Sequence, residues 1–143
     1  MIWLIACLML VAADTPEKKG DKEQIQGAWV FVAMEADGKE VKEGVLYESV
    51  KEWKLTFKDG TLRNAKEPNY MATYTLEADK KPPILSVVIQ SQNDMKAVIL
   101  YELKGDVLRL CVWPSREDEQ PKAFDSKDGR LVFTFKRDKP SDK

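Results

Sequence analysis

The chain contains no histidine. Without it there is no Ser-His-Asp triad, no Cys-His dyad and no His-ligated zinc. Proton transfer would fall to carboxylates, lysine, tyrosine or cysteine. The cysteines are Cys7 and Cys111. A reactive thiol needs a lowered pKa and solvent access. Cys111 shares its strand register with Val107, Arg109 and Trp113, so it reads as a small half-buried residue on an outward or interface-facing side. The acidic run Glu117-Asp118-Glu119 offers oxygens. Calcium takes about 6–8 oxygens from a shaped loop, and no Asp-x-Asp-x-Asp-Gly pattern is present, so the run reads as a solvated loop. Nothing in the spacing of the 24 acidic residues selects a pair for glycoside hydrolysis. The expectation is a non-enzymatic protein with no catalytic residues, no metal and no cofactor.

The aromatic residues suggest binding instead. Alternation places Trp53, Leu55 and Phe57 on one face of a strand, and Tyr70, Ala72, Tyr74 and Leu76 on one face of another. Tyr101, Leu110 and Phe133 fall in phase on later strands. Two readings of this inward set stay open. It can fill a core solidly, or Trp53, Phe57, Tyr74, Tyr101 and Phe133 can line an apolar pocket for a small apolar or amphipathic ligand. Trp113 shares a register with polar neighbours and stands beside Pro114, which marks it as a candidate surface contact for a protein partner.

These side chains need a scaffold of short strands. Strand-like runs cover 28–36, 53–58, 61–64, 70–77, 84–90, 97–103, 107–113 and 130–137. They are separated by turn signals such as Asp37-Gly38, Asp59-Gly60 and Lys104-Gly105-Asp106. In the first run Trp29, Phe31 and Ala33 share one face and Val30, Val32 and Met34 the other. Residues 39–52 read as a short helix or lid-like loop, and 114–129 as the longest irregular stretch. Asp21-Lys22-Glu23-Gln24 fits a capping box with Asp21 as N-cap, opening a short helix that Gly27 ends. Many short strands with tight antiparallel connections mean a sandwich or an up-and-down barrel, and the tightness favours the barrel.

Residues 1–13 read as a signal peptide. Ile2 to Ala13 carries no charge, is too short for a bilayer span of roughly 20 residues, and ends in the small residues Val11-Ala12-Ala13. No Lys or Arg precedes it. Leu4-Ile5-Ala6-Cys7 resembles a lipobox, so lipidation at Cys7 is the less favoured exit route. Either route implies an exported protein: periplasmic, cell-envelope or secreted. The domain layout is then 14–26 polar leader and short helix, 27–137 barrel, and 138–143 disordered tail. With 23 basic and 24 acidic groups the net charge is -1, which gives no field to attract nucleic acid, and no transmembrane span is expected in the mature chain.

Gly27-x-Trp29 on the first strand, with an Arg on the last, is similar to the lipocalin signature. That resemblance implies that Arg137, or less readily Arg130, packs over Trp29 and closes one end of the barrel. Further matching runs are Ile25-Gln26-Gly27-Ala28-Trp29, Glu35-Ala36-Asp37-Gly38-Lys39, Trp53-Lys54-Leu55-Thr56-Phe57, Tyr101 to Cys111 (YELKGDVLRLC) and Pro121-x-x-Phe124. Together they resemble an uncharacterised lipocalin-like family of small exported proteins abundant in planctomycete bacteria. Gln120 stands where that family usually has Arg. The resemblance implies an all-β, eight-stranded antiparallel up-and-down lipocalin-like barrel with a short N-terminal helix, and export. It implies no activity. The alternative to ligand binding is a cell-envelope interaction or structural module with a filled core.

Overall fold

The computed structural model describes residues 20–114 and 119–138. The signal peptide, Cys7, residues 14–19 of the leader, Glu117 and Asp118 of the acidic run, and residues 139–143 of the tail lie outside the described residues. The helices are α1 (Asp21–Gln24) and α2 (Val45–Val50). The strands are β1 (Gly27–Ala36), β2 (Lys39–Val41), β3 (Lys54–Lys58), β4 (Thr61–Asn64), β5 (Glu67–Glu77), β6 (Ile84–Ile89), β7 (Met95–Lys104), β8 (Val107–Val112) and β9 (Leu131–Arg137). β1 and β3 to β9 pair in sequence, all antiparallel, and β9 returns to β1. The result is a closed eight-stranded up-and-down barrel, as the strand spacing predicts. β2 is a short addition that pairs only with the end of β1. It occupies a stretch whose sequence reads as helix or loop. Among the described residues no helix is long and apolar enough to cross a membrane.

β1 departs from simple alternation. Phe31 pairs with Phe135 and Ala33 with Thr134, leaving Val32 as an extra residue in a bulge. A bulge reverses which residues face in beyond it. Trp29 and Met34 are therefore buried, while Val30 and Val32 are exposed. The expected inward Ala33 is replaced by Met34, which pairs with Phe133. β5 also starts earlier than its sequence suggests, at Glu67, in a stretch read as a loop.

Most large apolar side chains join one interior core. A second cluster lies on the other face of the sheet. Ile84, Leu100, Cys111 and Val132 are successive cross-strand partners across β6 to β9, and Phe124 packs on them. The segment 119–130 thus folds back over the barrel wall. The Cys111 Sγ–H donates to the carbonyls of Ala123 and Asp125, each at 3.4 Å. Within the segment Arg130 pairs with Asp125 at 2.7 Å, and Arg109 of β8 stacks on Phe124 at 5.3 Å.

Candidate functional site

The barrel has a closed end and an open end. At the closed end α1 and the residues after it cover the interior. Ile25 and Trp29 are fully buried there, and the Trp29 indole N–H donates to the Ile25 carbonyl at 2.9 Å. Arg137 faces Trp29 across β1 and β9. Its guanidinium lies 4.4 Å from the Trp29 ring centre. The same group donates to the carbonyls of Gln26 (2.9 Å) and Gln24 (2.7 Å) and to the Asp106 carboxylate (3.0 Å). One planar cation thereby joins α1, β1, β9 and the β7–β8 turn. Arg130 lies elsewhere, 5.9 Å from the Trp113 ring.

Tyr74 and Tyr101 belong to this closed end. The Tyr101 hydroxyl donates to Asp21 at 2.7 Å, and the Tyr74 hydroxyl accepts from the Gln26 amide at 3.0 Å. Phe57 meets Tyr74 edge to face at 5.1 Å. Burial, followed by the hydrogen bond to Asp21, drives the Tyr101 phenol well above its ordinary range. Asp21 is not the N-cap that the sequence suggests. Gly20 takes that position without a side-chain cap, and the Asp21 carboxylate serves Tyr101 instead.

The open half contains a cavity of about 400 Å³, within the range of small-molecule sites. Its floor is Leu55, Leu62, Leu85, Val87 and Leu110; nearer the mouth stand Trp53, Tyr70, Ile89, Met95 and Phe133. α2 supplies Leu46, Ser49 and Val50. Of the five pocket residues expected from sequence, Trp53 and Phe133 line this cavity, with ring centres 6.2 Å apart. Phe57, Tyr74 and Tyr101 do not. They face inward, but at the depth of the closed end, where Phe57 packs on Tyr74, Tyr74 bonds Gln26 and Tyr101 bonds Asp21 of α1. Glu67, Met95 and the residues of α2 also line the cavity and lie outside the strand runs read from alternation. Tyr70 was legible as inward-facing, whereas α2 carries no strand pattern.

Two polar groups stand out in this apolar wall. Glu67 is its one charged residue among those described. The Trp53 indole N–H is the one buried side-chain polar group among the described residues without a hydrogen-bond partner. Leaving such a donor unpaired costs about 1–3 kcal/mol.

Trp113 does not present an open surface. It is 9% exposed, its N–H donates to the Asp128 carbonyl at 3.2 Å within the returning segment 119–130, and it contributes to the cavity wall beside Pro114. A broader depression of about 920 Å³ lies at the opposite end, beside α1. Most of its lining residues are exposed, such as Lys22, Glu23 and Asp59, and its Tyr74 and Gln26 groups satisfy each other, so it is a surface groove. Among the described residues no three His, Cys, Asp or Glu side chains stand close enough to hold a metal ion. No protein-family model matches the chain, and no curated protein or solved structure matches it.

Proposed function

We propose that this chain is an exported, non-enzymatic lipocalin-like domain that binds a small apolar or amphipathic molecule in the open half of its barrel. The observation that carries the reading is the apolar cavity of about 400 Å³ on the side opposite the Trp29–Arg137 closure. A filled core would have left no such space. Export rests on the uncharged run Ile2–Ala13. Intact mass of the mature protein separates an Asp14 start from a diacylated Cys7 start.

The binding test is a titration with N-phenyl-1-naphthylamine, an uncharged fluorophore that brightens in apolar surroundings. Saturable one-to-one binding is expected, with Kd on the order of micromolar. Ala97 lines the cavity, so Ala97→Phe should abolish the signal while the far-ultraviolet circular dichroism stays unchanged. Absence of saturable binding to the unsubstituted protein would overturn the reading.

A further inference from the structure

The mouth of the cavity is built around one corner of the barrel. The buried Asn64 side chain accepts from the backbone N–H groups of Lys54 (3.4 Å) and Lys66 (3.1 Å). Lys66 also pairs with Glu52. Residues 52 and 54 flank Trp53, and residue 66 precedes Glu67. These links therefore hold Trp53 and Glu67 on one braced corner, and both line the cavity. Lys66, the nearest cation in sequence, is already engaged.

We infer that the cavity selects an uncharged, single-chain amphiphile whose head carries a hydroxyl or amide, seated at the mouth beside Trp53 and Glu67. This rests on the proposed binding function and names its ligand class. The Trp53 N–H has no partner, so it calls for an acceptor. A carboxylate or phosphate head would supply one. It would also bring a negative charge next to Glu67, into a wall with no compensating cation among the described residues. A quaternary ammonium would suit Glu67 and leave the indole N–H unanswered. A hydroxyl or primary amide accepts from Trp53 and can donate to Glu67, and its alkyl chain runs inward over Leu55, Leu85, Val87 and Leu110. The Trp53 N–H is shielded from water, so the ring turns to present it as the head group enters.

The experiment displaces N-phenyl-1-naphthylamine at pH 8 with decan-1-ol, decanoate or decyltrimethylammonium, each below its aggregation concentration. Decan-1-ol should displace the probe at a concentration about tenfold lower than decanoate. Glu67→Gln should narrow that gap by about threefold. Trp53→Phe keeps the ring and removes the donor, and should weaken decan-1-ol by about fivefold with the fluorophore still bound. Equal displacement by decanoate, tightest displacement by the ammonium, or indifference to both substitutions would overturn the inference with the pocket intact. Failure of the unsubstituted protein to bind the fluorophore would instead overturn the pocket itself.

Discussion

Arg137 lies over Trp29, its guanidinium 4.4 Å from the ring centre, while two of its nitrogens hold the carbonyls of Gln24 and Gln26. The stack fixes the cation, and the hydrogen bonds draw the end of α1 across the closed end of the barrel. Lysine can keep the charge but not the flat fork that makes these contacts together. Arg137→Lys is therefore expected to lower unfolding stability by about 1–3 kcal/mol, from the stack and charge-assisted hydrogen bonds lost. Urea denaturation measures this, and an unchanged midpoint would mean that the barrel end does not depend on the guanidinium.

Gly27 supplies the positive-φ backbone on which β1 begins beside that closure. Its φ is +114°, and a Cβ there would stand 3.4 Å from the Arg137 Nη1. Gly27→Ala should cost about 1–3 kcal/mol through backbone strain at that positive φ. Gly20 is the control: its φ is -70° and no atom stands within 4 Å of the added methyl. Gly20→Ala should leave the thermal midpoint within about 1 °C of the parent. Equal effects of the two substitutions would refute the role given to Gly27.

The strand pattern carried the barrel, because clean alternation in β3, β5 and β8 reports burial of one face directly. It could not report depth. Trp53 and Phe57 share a face but are four residues apart, about 13 Å along a strand, which puts one in the cavity and the other at the closed end. Deciding between them needs the location of the plug, and α1 reaches Tyr101 through a contact between Asp21 and a residue far along the chain. The bulge at Val32 leaves no local mark in the sequence, so simple alternation separates Met34 from the face of Trp29 that it shares in the barrel. A polar register marks the outer face of a strand, not an uncovered one: the return of segment 119–130 buries Cys111 and bonds the Trp113 N–H, and Trp113 also lines the cavity.

Burial of Cys111 and Tyr101 has a pH consequence. Burial raises the Cys111 thiol above its ordinary 9.0, and burial together with Asp21 raises Tyr101 above its ordinary 10.0. In the unfolded chain both groups lose protons near their ordinary values, while the folded protein retains them. The unfolded state then binds fewer protons, so stability falls as pH rises. Stability should hold below about pH 9 and decline above it, with the Tyr101 share entering from about pH 10. Tyr101→Phe should flatten the upper part of the decline. Urea midpoints at pH 8, 9.5 and 10.5 supply the check, and parallel declines in both proteins would remove Tyr101 as a cause.

α2 is the part of the cavity wall best placed to move. Six residues are too few to hold a helix alone, and Gly44 provides no side-chain cap. Its hold comes from Val50, which is buried, and from Tyr47, which meets the Phe31 ring edge to face at 6.0 Å. The first turn contributes little, since Val45 is 89% exposed. Tyr47→Ala should remove about 1 kcal/mol of aromatic contact, and the loss should fall on local opening more than on the barrel. Association and dissociation rates of N-phenyl-1-naphthylamine should then both rise, by about threefold to tenfold, with a smaller change in Kd. Stopped-flow fluorescence separates the two rates. If dissociation alone accelerates, Tyr47 contacts the ligand and α2 is a fixed wall; if neither rate moves, the entrance lies away from α2.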